Sequence, residues 1–253
     1  MAKAETLQCM TNLKSIGAAV FLYAEDNADR VPSNGELKNG TELKSWSWDD
    51  RLAGYDGRTP FSDEQKNHGG NGWWLETSPI YICPADDQER VARRATRSYA
   101  PNWIRNNNSD SYNDFARNLV GRGIVTVPNS NNLQQPYSMS LSAIRFPNLS
   151  IGWCDFITDH NGLGLIGNGT GAVDALHFLG WPYFQKYRNA LHGEFQHNYW
   201  MLDGHVETLW FPDTLEVLHS GRNGEQTRSP TADPFTVNSS YTNSVIGTFW
   251  DCW

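Results

Sequence analysis

The feature that most constrains this chain is a single long apolar stripe near its N-terminal end. In AETLQCMTNLKSIGAAVFLYAEDNADRVP, apolar side chains recur at the three- and four-residue spacing of one helix face: Leu7, Met10, Leu13, Ile16, Ala19, Val20 and Tyr23. Asp26 and Asp29 weaken the pattern, and Pro32 ends it. We therefore predict a helix of about 25 residues. Such a helix has to bury its apolar face, and a β-sheet is its natural partner.

The rest of the chain has the composition of a turn-rich body with strands. Its 253 residues include 22 Gly and 12 Pro, with 11 Trp, 10 Tyr and 11 Phe. SWSWDDRLAGY (45–55) predicts a short helix, SPIYICP (78–84) and LSIGWCDF (149–156) predict short strands, and the Asn- and Ser-rich stretch 106–135 predicts a long loop. The predicted fold class is α+β: residues 1–30 form the helix, and residues 31–253 form a body with long loop insertions, within one structural domain.

The charge pattern argues against nucleic acid as a partner. The formal net charge is −8, whereas phosphate contacts require clustered Lys and Arg. The run RVARRATR (90–97) is the exception, and because PADDQE precedes it we interpret it as a charge-balanced, solvated face. No stretch approaches the roughly 20 apolar residues of a membrane span, and no signal peptide is recognisable.

The segment HNYWMLDGHVETLWF (197–211) predicts a β-hairpin. Asp203-Gly204 is the pair that a two-residue type I′ turn prefers. His197 and Glu207 are about equally far from this turn, so they could pair across the strands, whereas His192 lies in the preceding loop. Because side chains alternate along a strand, the first strand has two faces: His197, Tyr199 and Met201 on one, and Asn198, Trp200 and Leu202 on the other.

Three histidines in LHGEFQHNYWMLDGHVETLW (191–210) raise the question of a metal or catalytic site. A metal needs three or four converging ligands. His192, His197 and Glu207 could converge, but the alternation scatters the histidines over two faces and a loop. We therefore predict no transition metal in 191–211. The chain also lacks GxSxG, HExxH and a P-loop, so we predict a protein that is not an enzyme and has no catalytic or cofactor-binding residues.

Calcium and sugars are two further ligands that the sequence raises. CDFITDHNG offers Asp155, Asp159 and Asn161 as oxygen ligands for calcium, with an ordinary polar loop as the competing interpretation, and no calcium site is assigned. The loop-associated tryptophans could stack on sugar rings, which would make the chain a carbohydrate-binding surface module. The favoured alternative is that they fill a core poor in Leu and Ile. These residues are Trp46, Trp48, Trp73 and Trp74.

The helix and several later segments resemble one family. CMTNLKSIGAAVFLYAEDNADRVP resembles the stretch after the hydrophobic half of the N-terminal helix in bacterial type II pseudopilins, and more specifically in the large prepilin-type proteins of planctomycete and lentisphaera-like bacteria. SWSWDDRLAGY, YICPADD, RSYAPN and IRFPNLSIGWCD resemble further family segments in the same order. The C-terminal signature is a His, nine residues and then Asp-Gly. Asn198, Asp203 and Gly204 match it, and His192 fits with ten intervening residues.

This resemblance implies a pilin-like fold and a non-catalytic structural subunit of a type II secretion or type IV pilus-like filament, or of the cell surface. Its partners would be other pilin or pseudopilin subunits, with surface glycans added in the carbohydrate-binding alternative. In such proteins a prepilin peptidase removes a short leader, and an apolar half-helix anchors the subunit in the inner membrane. The sequence is then expected to begin where that half-helix ends, to meet a membrane only through it, and to be extracytoplasmic.

The four cysteines are isolated in sequence, and none forms a CxxC pair. This spacing disfavours an ordinary zinc site and fits two disulfides, with four buried thiols as the alternative. Cys9 and Cys83 both fall in segments that resemble the family's motifs, which implies a disulfide between helix and body. Cys154 and Cys252 were expected to form a second bridge that holds the C-terminal tail.

Overall fold

The N-terminal helix α1 spans Lys3–Asp26, 24 residues, and confirms the predicted helix. The computed structural model describes residues 3–34, 36–38, 42–44, 46–62, 64, 78–90, 95–102, 104–106, 119–122, 138–158, 161, 163, 192, 196–215, 249–250 and 252. After α1 the chain reverses direction through Ala28 and Asp29, which both adopt positive φ angles. Side chains on one face of α1 are buried, among them Leu13, Ile16 and Val20. The predicted stripe wrongly includes Leu7, which lies on the other side of the helix and is 63% exposed.

A four-stranded antiparallel sheet receives this helix. Its strands are ordered β3-β6-β7-β8, and they span Tyr99–Pro101, Ile151–Asp155, Gln196–Met201 and Val206–Trp210. Two short hairpins stand beside it, β1 (Glu36–Lys38) with β2 (Glu42–Lys44) and β4 (Ile104–Asn106) with β5 (Leu119–Arg122). Helix and sheet together establish the α+β class.

Apolar side chains cover both faces of the sheet. On the α1 side, Trp153 and Trp200 pack with the buried residues of the helix. On the other side, Cys154, Tyr199 and Met201 pack in a second cluster, which also contains Phe211 and Trp250. The first strand of the hairpin therefore divides its side chains between the two faces as its alternation predicted.

The hairpin is present, but its turn differs from the predicted type. Gly204 N–H donates to Met201 O at 2.9 Å and Met201 N–H donates to His205 O at 2.8 Å, so three residues form the loop. Gly204 has φ +101°, while Asp203 is not among the described residues with positive φ. This is the three-residue arrangement in which a glycine takes the left-handed position after a tight turn. The predicted two-residue turn is therefore wrong, because the loop contains three residues.

Two other local predictions had different outcomes. The short helix predicted at 45–55 is α2, Trp48–Leu52, and the Asp50 carboxylate accepts the Ser47 N–H at 2.9 Å at its N-terminus. The strand predicted at 78–84 is instead a 3₁₀ turn, Pro79–Tyr81. Proline is well suited to the first position of a helical turn, where its missing N–H is not needed.

Candidate functional site

The strongest candidate site lies where α1 meets the body. The imidazole of His192 is fully buried there, beside the Cys9–Cys83 disulfide and the carboxylate of Asp155. We call these four residues the disulfide–histidine cluster. They come from four segments: α1, the stretch after the 3₁₀ turn, the end of β6, and the chain ahead of β7. The disulfide expected between helix and body is therefore part of a larger polar group.

Contacts at both ring nitrogens hold the His192 imidazole. Nε2 lies 3.2 Å from Asp155 Oδ2 and 3.7 Å from Cys83 Sγ, and Nδ1 lies 3.2 Å from Thr6 Oγ1. An ionised carboxylate can only accept hydrogen bonds, so the pairing with Asp155 places a proton on Nε2. In the neutral ring, Nδ1 then accepts a hydrogen bond from the Thr6 hydroxyl.

Asp155 connects this cluster to the sheet. Its Oδ2 accepts the backbone N–H of Asn198 at 2.7 Å, next to the last register pair of β6 and β7. Its Oδ1 is buried and has no hydrogen-bond partner among the described residues. Because buried polar atoms are nearly always paired, this oxygen marks a position suited to a proton donor or a cation.

The other two histidines of the hairpin lie elsewhere. His197 is buried and stands opposite Leu209, and burial, the main cause, lowers the pKa of its imidazole to about 4. His205 lies at the turn, half exposed, with Nδ1 2.5 Å from Asp203 Oδ1 and Nε2 3.3 Å from Glu207 Oε1. The suggested pairing of His197 with Glu207 is wrong, because His197 lies six residues before Asp203 whereas Glu207 lies only three after Gly204, and Glu207 stands opposite Tyr199.

The four residues of the C-terminal signature fall into two pairs. His192 and Asn198 both contact Asp155. Asp203 and Gly204 form the turn, and a Cβ atom at Gly204 would lie 3.2 Å from Phe21 of α1. The turn therefore sits against the helix, and the absence of a side chain at Gly204 permits that approach.

Cys154 and Cys252 do not form the second expected bridge. Both are buried free thiols. Cys154 lies in the cluster on the sheet face away from α1, whereas Cys252 belongs to the cluster on the α1 side. Asn102 Nδ2 donates to Cys252 Sγ at 3.5 Å, and this contact holds the tail without a covalent bond.

Buried ion pairs correct the interpretation of the basic run. Arg97 pairs with Asp49, and both side chains are fully buried. Arg90 pairs with Asp86, and both are again buried. For these two arginines the solvated face is therefore wrong, because both are buried. The predicted charge balance holds for Arg90, whose partner lies in PADDQE, whereas Arg97 finds its carboxylate 48 residues away. Arg93 and Arg94 lie outside the described residues.

A second carboxylate sits beside the Arg97–Asp49 pair. Burial, reinforced by the negative charge of Asp49, raises the pKa of Asp50 to about 7. Asp50 Oδ2 accepts the Ser47 N–H, while Oδ1 is without a hydrogen-bond partner among the described residues. The buried Asp50 carboxylate therefore caps the N-terminus of α2 through the Ser47 N–H.

Of the residues named for calcium, Asp155 and Asn161 are described, and both have other partners. Asn161 Oδ1 accepts a hydrogen bond from Arg97 Nε at 2.8 Å, and Asp155 faces His192 instead. Asp159 lies outside the described residues. Asn161 is thus committed to a guanidinium, which leaves its oxygen poorly placed for a cation.

The two described tryptophans of the set named for sugar stacking are both buried, with exposures of 8% for Trp46 and 0% for Trp48. Trp48 is fully buried and packs edge-on against Tyr81 and Trp153, so it fills the core. Trp46 lines a cavity of about 520 Å³. The guanidinium of Arg51 lies over its ring, 5.3 Å from the ring centre. Trp73 and Trp74 lie outside the described residues.

Comparison with known proteins finds no family model, no curated protein and no solved structure that matches this chain. Within the described residues, no helix combines the length and apolar character required to cross a bilayer.

Sequence reasoning missed the convergence of Asp155 with His192. The one signal that could have pointed to it is the position of Asp155 at the end of a predicted apolar strand, because Asp is uncommon in strands.

Proposed function

We propose that this chain is a non-catalytic, pseudopilin-like structural subunit of a type II secretion or type IV pilus-like filament, or of the cell surface. The observation that carries the proposal is the two-sided character of α1. One face is buried on the antiparallel sheet, while Leu7 and Leu22 on the opposite face are 63% and 51% exposed. The ordered resemblance of the sequence segments to prepilin-type proteins supports the same function.

The attachment of α1 to the body is strong for a helix near a chain end. The disulfide at Cys9 fixes one point. Asn12 Nδ2 donates to Ile82 O at 2.8 Å and to Pro79 O at 3.3 Å, so the helix is also hydrogen-bonded to the 3₁₀ turn. A helix held in this way presents its outer face in one orientation, as a repeating assembly requires.

A second copy of this chain is the partner that the outer face of α1 is proposed to meet. Leu7 and Leu22 are 15 residues apart, which places them about 22 Å apart along the axis and about 60° apart around it. A single exposed leucine is ordinary. Two on the free face of an anchored helix favour packing against neighbouring subunits.

The test uses the full-length gene in its host, with the prepilin peptidase present or deleted. The leader should be cleaved only when the peptidase is present, and the mature protein should fractionate with membrane or surface filaments. Leu22→Lys should abolish filament association, whereas Asp213→Lys, at an exposed position outside α1, should not. Recovery of a freely soluble protein exported by an ordinary signal peptide would reject the proposal.

Carbohydrate binding is the second candidate, and the cavity at Trp46 is the observation that favours it. Tyr23, Trp46 and Tyr55 supply aromatic surface, and Asn27 and Arg51 supply hydrogen-bond donors. Binding on a glycan array that is lost in Trp46→Ala but kept in Trp210→Ala, which alters an exposed tryptophan on β8, would support this candidate. No binding to any glycan by the wild-type protein would eliminate it.

A further inference from the structure

We propose that the disulfide–histidine cluster is a redox-gated zinc site: when the Cys9–Cys83 bond is reduced, both thiolates, His192 and Asp155 bind one Zn²⁺. The ligand atoms of Cys9, Cys83 and His192 already lie within 4.8 Å of one another. Asp155 Oδ2 lies 3.2 Å from His192 Nε2, and we propose it as the fourth ligand. Two sulfurs, one imidazole and one carboxylate are ligands that zinc accepts in tetrahedral sites.

The spacing of these atoms agrees with a tetrahedron around zinc. With usual zinc–ligand distances, neighbouring ligands should be about 3.6 Å apart for nitrogen and sulfur, and about 3.4 Å apart for nitrogen and oxygen. The observed separations from His192 Nε2 are 3.7 Å to Cys83 Sγ and 3.2 Å to Asp155 Oδ2. Binding requires two movements: the two sulfurs have to separate to about 3.8 Å, and the Asp155 carboxylate has to approach them, since it lies outside the group of three whose ligand atoms are within 4.8 Å of one another.

Two features of the surroundings favour a cation at this position. Asp155 Oδ1 is buried and has no hydrogen-bond partner among the described residues, and the side chain of Asp155 is only 1% exposed. Thr6 Oγ1 lies 3.2 Å from His192 Nδ1 and can accept a hydrogen bond from that nitrogen once Nε2 binds metal. A metal-bound histidine usually donates its other N–H to such a partner, which fixes the ring.

The disulfide is converted to the zinc site in two steps, reduction and then metal binding. A thiol reductant supplies two electrons and two protons, so the S–S bond breaks, Cys9 and Cys83 become thiols, and two reductant thiols become one disulfide. Zn²⁺ then displaces two protons from these thiols and the proton from His192 Nε2 moves to Nδ1, which leaves the imidazole neutral. The cluster therefore holds α1 to the body covalently when oxidised and through the metal when reduced.

This proposal runs against the sequence-based prediction of no transition metal in 191–211, and the two differ for the reduced protein. In the oxidised form both sulfurs are occupied by their mutual bond and only His192 and Asp155 remain. The zinc proposal is independent of the filament proposal, because it depends on the thiols and His192 rather than on the outer face of α1.

The experiment is a titration of the full chain, without a histidine tag, in oxidised form and after reduction and removal of the reductant. The reduced protein should bind one equivalent of Zn²⁺, with a rise in its thermal midpoint, and the oxidised protein should bind none. Co²⁺ in place of zinc should give thiolate-to-metal charge-transfer absorption and the visible bands of a tetrahedral ion.

Matched variants assign the ligands. His192→Gln should weaken zinc binding at least roughly tenfold, the lower end of what even partners outside the ligand shell cost. His205→Gln, which alters the half-exposed histidine of the same hairpin, should leave affinity unchanged. A double variant, Cys154→Ser with Cys252→Ser, should keep one equivalent.

Three results would overturn the proposal. These are reduced protein without stoichiometric zinc, zinc binding that survives in His192→Gln, and an oxidised protein that binds a full equivalent. If His192→Gln does not fold, the Co²⁺ spectrum of the reduced wild-type protein decides. Charge-transfer absorption supports the site, and its absence rejects it.

Discussion

A Cβ atom on Gly17 would lie 2.1 Å from Nε1 of Trp200, so this indole fills the space that a side chain on α1 would need. On the other side, a Cβ atom on Gly152 of β6 would lie 2.6 Å from Cε3 of the same ring. Trp200 is thus enclosed between helix and sheet, and Phe21 meets its edge at a centroid distance of 5.3 Å. The two glycines set how closely α1 approaches the sheet.

Gly17→Ala should destabilise the protein by about 1–3 kcal/mol, because the added methyl group overpacks a rigid contact. The sign of the change in stability distinguishes overpacking from helix propensity, because the two effects of an alanine are opposite. Helix propensity alone favours alanine over glycine by about 1 kcal/mol. The free energy of unfolding in urea measures the effect. Ala18→Gly, at the exposed neighbouring position, should cost about 1 kcal/mol through propensity alone. A Gly17→Ala protein more stable than wild type would show that α1 does not pack on Trp200.

Replacing both Cys9 and Cys83 with serine should lower the free energy of unfolding by about 4 kcal/mol, since the bond closes a long loop in the unfolded chain. The two cysteines are 74 residues apart. Denaturant unfolding should be measured with a zinc chelator present, so that metal does not replace the bond. Wild type should respond to a reductant, and the double variant should not. A wild-type protein insensitive to reductant would contradict the structural role of this disulfide.

His197 should make stability fall as the solution becomes acidic. Its folded-state pKa of about 4 lies below the ordinary value of 6.5, so the unfolded chain binds the proton more tightly. The contribution is complete above pH 6.5 and is lost as pH falls through 4, by about 3 kcal/mol in total. His197→Gln should flatten this part of the stability profile. An NMR titration of the imidazole with a midpoint near 6.5 would contradict the prediction.

The side chain of Asp50 should have the opposite effect to His197, so that its contribution to stability falls as the pH rises. Its pKa is raised to about 7 from 3.8, so its contribution is fully present below pH 3.8 and is lost as pH rises through 7. Asp50→Asn should therefore gain stability relative to wild type on going from pH 4 to pH 8, measured by denaturant unfolding at each pH. Asp49→Asn is the contrasting variant. It leaves the buried Arg97 without its carboxylate and should cost about 3–5 kcal/mol. An Asp50→Asn profile parallel to wild type would reject the assignment.

Short-range patterns made the helix, α2, β6 and the hairpin predictable. Each depends on the spacing of residues within about one element, as with the apolar stripe through Leu13 and Ile16. The predictions that were wrong depended on finer local competition. The proline at 79 converted a predicted strand into a 3₁₀ turn, and one additional loop residue at Asp203-Gly204 changed the turn.

The sequence by itself determined that a long helix would bury one face on strands, and which side chains of β7 would share a face, because periodicity of 3.6 and 2 residues is a property of the backbone. Only the tertiary structure decided that Asp155 and His192 meet beside the Cys9–Cys83 bond, that Arg97 finds Asp49, and that Cys154 and Cys252 belong to the clusters on opposite faces of one sheet. These relationships join residues from 37 positions apart, for Asp155 and His192, to 183 positions apart, for Cys9 and His192. No local periodicity encodes such pairs. They follow from how packing brings distant segments together and from the requirement that buried charges find partners.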